Sequence, residues 1–363
     1  MTPIKRGIQK KILFSTLTVG AFSVLLIVTI TYLVGTYTIK RTIGDSFKGL
    51  AIQTSKKLEI LIQDQITVGK TIASLEDVVN AARLSAARYA DHGASEVEDR
   101  LEERDRLWRE GREIRSSLPD PLAANVARDL TTFAGKQRDY IEVLVTDAKG
   151  ARIAANRRTS GFYFGREPWW QAVLKRRGNY VSDILFDSEV KKWTMVVAVP
   201  IEEGGRFLGV VRTIRDVEAL LFRQVTDIHV GQHVGQTDHT MLANSSGTLL
   251  FCPIFGIRNK DHPLSPDQIR NITQPEPGWG TTTVDLHYPG RESINGFAPV
   301  QISFDLGPES FGGTQWYIFT SQDPKKTYAP VETLLKWIAG GGLFSLGLLS
   351  ILAYYQSRRL VNP

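Results

Sequence analysis

Two long stretches of this chain carry no charge at all. From Ile12 to Ile39 there are 28 uncharged residues in a row, and from Trp337 to Ser357 there are 21. As helices, both are long enough to cross a hydrocarbon core of about 30 Å. The first run lacks the short apolar core and small-residue cleavage site of a secretory leader, since it closes on Thr36-Tyr-Thr-Ile39-Lys40. It is read as an anchor.

Between the spans the pattern changes twice. Ile43, Phe47, Leu50, Leu58, Leu61, Ile62, Ile66, Ile72, Leu75, Val78, Val79 and Ala82 recur mostly at three- and four-residue steps. That period predicts a long helix leaving the membrane with one buried face. From Glu96 to Arg115, 14 of 20 residues are charged and only Val97, Leu101, Leu107, Trp108 and Ile114 are apolar in a thin stripe. The expected element is a solvated helix lying along the first. Pro119 and Pro121 break the chain, and Val126, Leu130 and Phe133 mark one more helix. From Ile141 onward short apolar runs separated by polar, glycine-closed turns predict strands.

The β-rich part repeats itself. Val145-Thr-Asp-Ala-Lys-Gly150 matches Ala243-Asn-Ser-Ser-Gly247, with Asp147 and Asn244 separated by 97 residues, as are the two glycines. Val197-Ala-Val-Pro200 and Gly296-Phe-Ala-Pro299 are 99 apart at their prolines. A near-constant offset predicts two copies of one module in tandem. The chain divides into a tail (1–11), a first span (12–39), an outer region (40–336) and a second span (337–357), with a short end piece (358–363). The outer region comprises a helical stalk (40–140), one module (141–225) and a second (238–325).

Charge fixes the expected orientation. Lys5, Arg6, Lys10 and Lys11 precede the first span, and Arg358 and Arg359 follow the second. Basic flanks stay cytoplasmic, so both ends are expected inside and the modules outside. Those six residues account for the whole net charge of +6. The outer region is therefore neutral, which removes basicity as an argument for nucleic-acid binding. The single cysteine, Cys252, can form no internal disulfide, so the outer region depends on its core.

Little else in the sequence points to chemistry. No Cys-x-x-Cys-His, Gly-x-x-x-x-Gly-Lys or His-Glu-x-x-His motif occurs. His229, His233 and His239 lie near one another, but Gly231 and Gly235 interrupt any helix that would align them, so a turn-rich linker is expected rather than a metal site. Neither a cofactor nor a catalytic constellation is expected.

The order of features resembles the double Cache family of PAS-like extracytoplasmic sensor domains in bacterial receptors. The resemblance rests on the membrane-emergent helix, the hairpin Leu144-Val-Thr-Asp-Ala-Lys-Gly150, Glu167-Pro-Trp-Trp170, Asn179-Tyr-Val-Ser182 and Phe207-Leu-Gly-Val-Val211. The second module adds Thr240-Met-Leu-Ala-Asn244, Gly278-Trp-Gly280, Ile294-Asn-Gly-Phe-Ala-Pro299 and Trp316-Tyr-Ile-Phe319. It implies an α+β fold of two antiparallel-sheet modules, membrane-distal and membrane-proximal, on a long N-terminal helix. It also implies a multi-pass protein of the bacterial inner membrane with a periplasmic or extracellular domain, a homodimer, and a chain end, Arg358-Arg-Leu-Val-Asn-Pro363, that is similar to the opening of a HAMP linker.

In that family a small molecule binds between the distal sheet and the segment covering it, here Phe162 to Gln171. Tyr163, Trp169, Trp170, Tyr180 and Trp193 are the expected walls, with Arg166 and Asp187 as polar groups and Arg212 projecting from the strand beneath. Amino-acid sensors resemble one another in an arginine and an aspartate whose equivalents here are Glu167 and Ile214, with Trp170 and Leu185 at the aromatic positions. A zwitterion would lose both charge-assisted contacts, so the expected ligand is not an ordinary α-amino acid. The function implied is sensing, without enzymatic activity in this segment. The alternatives are an anchored extracytoplasmic enzyme, or a ligandless module sensing through a partner protein, for which a filled distal cavity is expected.

Overall fold

A computed structural model describes residues 3–89, 92–112, 121–137, 139–220, 239–252, 256–257, 264–284, 289–302 and 306–361. Helix α1 (Pro3–Ala73) runs unbroken from the first apolar stretch into the outer region, and α7 (Pro324–Val361) returns through the second. Both are long and apolar enough to cross a membrane. They pack side by side. Gly342 of α7 leaves room for Val24 of α1, since a Cβ there would stand 2.6 Å from Val24 Cγ1.

The helical period expected through Ala82 breaks at Leu75, whose backbone is extended, and α2 (Glu76–Ala87) restarts with Glu76 and Asp77 in its first turn. Acidic groups there complement the helix dipole. The charged helix α3 (Ala94–Arg109) differs from expectation in its position. Its thin stripe, Val97 and Leu101, is buried against Ala151 beside Tyr89, Phe162 and Tyr163, over the distal module rather than along α1. A narrow apolar stripe suits a loop of aromatic residues that offers only a few side chains to cover. Helix α4 (Pro121–Lys136) begins on its proline, where the missing N–H costs nothing.

Each module is an antiparallel six-stranded sheet. The distal one contains β1 (Tyr140–Asp147), β2 (Arg152–Ala155), β3 (Tyr180–Val181), β4 (Leu185–Asp187), β5 (Lys192–Glu203) and β6 (Arg206–Asp216). Their order is β2-β1-β6-β5-β3, with β4 also on β5, and α5 (Pro168–Arg176) covers the outer face. The proximal sheet contains β7 (His239–Asn244), β8 (Leu249–Cys252), β9 (Gly256–Ile257), β10 (Gly278–Val284), β11 (Pro289–Pro299) and β12 (Trp316–Ser321). Here the order is β10-β11-β12-β7-β8-β9, and α6 (Pro266–Ile272) covers the outer face.

The repeat is visible in hydrogen bonds. Asp147 Oδ1 accepts from the N–H of Ala151, and Asn244 Oδ1 accepts from that of Thr248, both at 2.9 Å. Gly150 and Gly247 each donate their N–H to the carbonyl of that same residue at 3.0 Å. Both glycines have positive φ, at 87° and 83°, which a side chain would strain.

The inner faces of both sheets share one core with α1. Val143, Val197 and Val211 of the distal sheet and Leu242, Ala298 and Ile318 of the proximal sheet join Leu58, Ile62 and Ile66. Contact with α1 is close at Gly296, where a Cβ would lie 2.1 Å from the carbonyl carbon of Phe47. Where the apolar stretch of α1 ends, Lys40 Nζ sits 2.7 Å from Glu292 Oε2 on β11.

Candidate ligand site

Strand alternation sorts the distal sheet. Val143, Val145 and Val197 point to α1, whereas Glu142, Leu144, Ala198 and Arg212 point to the opposite face. Over that second face lie Phe164, Trp169 and Trp170. Pro168 opens α5 directly after Glu167 and Arg177 closes it in the left-handed region, which confines the two tryptophans to a nine-residue helix.

Arg212 is the centre of this site. Its Cζ is 4.9 Å from the Phe164 ring centroid and 4.8 Å from that of Trp169, so the guanidinium lies against two aromatic faces. It forms a buried ion pair with Glu142. Trp170 meets Phe207 edge-on at 6.1 Å. Arg152, on β2 opposite Thr146, is pulled below the ordinary arginine range by burial, against the Glu142 carboxylate that raises it. Among the described residues, the buried N–H donors Arg212 Nε, Arg152 Nε and Trp170 Nε1 on this side of the sheet have no acceptor. Buried donors are ordinarily paired.

The covering loop is held from above by α3. Asp105 Oδ1 accepts from the N–H of Phe162 at 2.6 Å and of Tyr163 at 3.1 Å, and Trp108 Nε1 donates to the carbonyl of Thr159 at 2.8 Å.

The expected site residues therefore separate into groups. Trp169, Trp170 and Arg212 come together, with half-buried Tyr180 at the edge of the same cluster, where burial pushes its phenol up. Tyr163 turns toward α3 and Ala151. Arg166 is 67% exposed and paired with Glu98 and Glu102 of α3. Asp187 accepts from the N–H of Glu189 at 2.8 Å and shapes the β4–β5 turn. Trp193 packs on the α1 side of the sheet and against Phe186, ring centroids 5.4 Å apart. His229 and His233 lie outside the described residues. His239 is on β7, with Nε2 3.3 Å from Ser321 Oγ.

Glu142, Arg152, Phe164 and Phe207 were not among the residues expected from sequence. Glu142 had a signal, a lone charge inside the apolar run Tyr140-Ile-Glu-Val-Leu-Val145.

A sequence profile for the Cache domain, dCache_1, matches residues 35–331. The chain belongs to the Cache domain family. Its solved relatives by fold include the ligand-binding domain of the Pseudomonas fluorescens chemoreceptor CtaA in complex with L-leucine. That structure has a TM-score of 0.51 at 14% identity over 80% of this chain and 99% of that one. Also similar are the amino acid chemoreceptor PctB of Pseudomonas aeruginosa with L-Arg and the extracellular domain of the putative histidine kinase rpHK1S-Z16. PctB has a TM-score of 0.48 at 18% identity, covering 80% of this chain and 98% of that one. The kinase domain has a TM-score of 0.46 at 13% identity, covering 77% and 95%. No curated protein sequence matches this Cache domain chain. At such identity the likeness establishes the double-sheet fold and leaves ligand chemistry to the side chains.

Proposed function

We propose that this chain is the sensing half of a bacterial transmembrane receptor, and that its distal Cache module binds a small acidic solute other than an ordinary α-amino acid. The observation that carries this reading is Arg212, packed against Phe164 and Trp169, whose Nε, like Arg152 Nε and Trp170 Nε1, has no acceptor among the described residues. Surplus donors and a net positive trio, Arg212 and Arg152 against Glu142, favour an anion. At the family positions that would grip a zwitterion, Glu167 stands at the start of α5 and Ile214 near the end of β6. Neither can pair the group an amino acid would present there.

The same reading gives a signal route. A ligand at Arg212 displaces β6 relative to α1, and the two helices that enter the membrane, α1 and α7, shift against one another. A movement of about 1 to 2 Å in packed helices is enough in known switches. Both chain ends face the cytoplasm, and the segment after α7 leads to the output. A second copy of the chain packs on the face of α7 that α1 leaves uncovered, where Gly341 and Ser345 are exposed and form a small-xxx-small pair.

One observation favours a second reading. The space between α5 and the sheet is filled by Phe164, Trp169 and Trp170, as expected of a module that senses through a partner protein. The test uses the full chain in lipid nanodiscs, heated with lactate, succinate, malate or citrate, and with L-leucine and L-arginine for comparison. An acid present at a hundred times its Kd stabilises by about 2.7 kcal/mol, and Arg212→Gln removes the shift. Stabilisation by amino acids alone would overturn the acid assignment, and no shift with any compound would favour the partner protein.

A further inference from the structure

The connection from β11 to β12 belongs to the proximal module but is fastened to the distal one. Val181 of β3 donates its N–H to Ser310 Oγ at 3.3 Å, Leu306 bridges to Asn179, and Glu309 Oε1 lies 4.0 Å from Lys175 Nζ near the end of α5. Within this connection Phe311 adopts the left-handed region at φ 56°, which an aromatic residue rarely does, and its ring packs on Trp316 of β12 with centroids 4.5 Å apart. Strained backbone of this kind is concentrated at ligand clamps and switch regions.

A cavity of about 540 Å³ lies against the same connection. Small-molecule sites run from about 300 to about 1,000 Å³, so the size suits one. The distal space under α5, by contrast, is filled by Phe164, Trp169 and Trp170. Val300, Ile302, Leu306, Phe311 and Trp316 give the cavity apolar and aromatic walls, and exposed Gln315 adds a carboxamide. Gln315 Nε2 donates to the carbonyls of Val300 and Trp316, which holds the carboxamide in place and leaves its Oε1 to accept from a ligand. None of the described residues that line the cavity is charged.

We infer that this cavity is a second ligand site, at the junction of the two modules, for a neutral, flat ring compound that carries one N–H or O–H donor. The ring lies against the apolar walls of Leu306 and Phe311, and the donor meets Gln315 Oε1. A charged group would lose hydration there with no opposite charge to replace it. The occupant touches Trp316, the first residue of β12, and only Gln322 and Asp323 separate that strand from α7, so binding bears on the helix of the second apolar stretch. The site shares no residue with the Arg212 cluster and does not depend on the distal reading.

Isothermal titration of the full chain in nanodiscs with indole tests it, with empty nanodiscs as the reference for partition into lipid. Saturable binding of indole is expected, unchanged in Arg212→Gln. N-methylindole, which lacks the donor, and tryptamine, which adds a charge, should each bind about fivefold more weakly or worse, the loss expected for one hydrogen bond. Ile302→Trp, which fills the cavity from its wall, should weaken indole at least tenfold. Gln315→Met, which keeps the side-chain length and removes the acceptor, should weaken it about fivefold. Melting of both variants within a few degrees of wild type separates lost binding from lost fold. The inference is overturned by no saturable indole binding above that of empty nanodiscs, by binding that either folded variant leaves intact or that Arg212→Gln abolishes, or by equal or tighter binding of N-methylindole or tryptamine.

Discussion

Arg212 and Arg215, three residues apart on β6, point to opposite faces of the distal sheet and anchor different layers. Arg212 reaches Glu142 under α5, whereas Arg215 pairs with Asp139 and Gln65 of α1 and lies 3.5 Å from the Tyr140 ring centroid. One strand thus carries a charged contact to the candidate ligand site and another to the long helix α1.

The Arg212–Glu142 pair is buried on both sides, and removing one member strands the other. Arg212→Leu is expected to lower stability by about 3–5 kcal/mol, while the double change with Glu142→Leu recovers most of that loss. Urea unfolding of the two variants measures it. A double variant as unstable as the single one would show that packing against Phe164 and Trp169, rather than charge, fixes Arg212.

Arg215→Leu separates sensing from transmission. Binding at Arg212 should be retained, because the change is on the other face of the sheet, but the grip on Gln65 is lost. In disulfide cross-linking between cysteines placed at Val24 and Gly342, a ligand that alters the wild-type cross-linking rate should leave the Arg215→Leu rate unchanged. An equal response in both proteins would remove β6 from the signal route.

Gly296, packed against α1, and Gly49, inside α1, make opposite predictions. A methyl at Gly296 would strike the backbone of Phe47, which cannot turn aside, so Gly296→Ala is expected to cost about 1–3 kcal/mol. Gly49, inside α1, has nothing within 4 Å of its Cβ position, so Gly49→Ala should gain up to about 1 kcal/mol from helix propensity. Melting points moving in opposite directions verify the pair.

What could be read from the sequence was local and periodic. The apolar runs became α1 and α7, and the shared offset of Asp147 and Asn244 became the same turn built twice. Trp169 and Trp170 could be placed because a proline-led helix has a definite start. What could not be read depended on long-range pairing. Nothing near Arg166 shows that Glu98 and Glu102, in a helix some sixty residues earlier, would draw it to the surface. Trp193 and Arg212 are both strand residues with suitable chemistry, yet register puts them on opposite faces, and register is set by partners the local pattern does not name.

The repeated turn also yields a pH prediction. Burial raises the Asp147 carboxyl above its ordinary value of 3.8, outweighing the lowering by hydrogen bonds from Ser85, Lys149 and Ala151. In the folded state Asp147 therefore holds its proton to higher pH than it does unfolded. Above the ordinary aspartate range the unfolded chain binds fewer protons, so this group subtracts stability as pH rises toward its folded value. At Asn244 the proximal module does the same work with an amide, accepting from Thr248 at 2.9 Å and from Ser246 at 2.8 Å. Asp147→Asn should keep the turn and remove the penalty. Its advantage over wild type should be absent in acid and grow by up to about 1.4 kcal/mol per pH unit within the window between the two values. Urea unfolding of both proteins at steps from about pH 4 to about pH 8 reads this directly, and an advantage that shrinks as pH rises would show that the hydrogen bonds, not burial, govern the carboxylate.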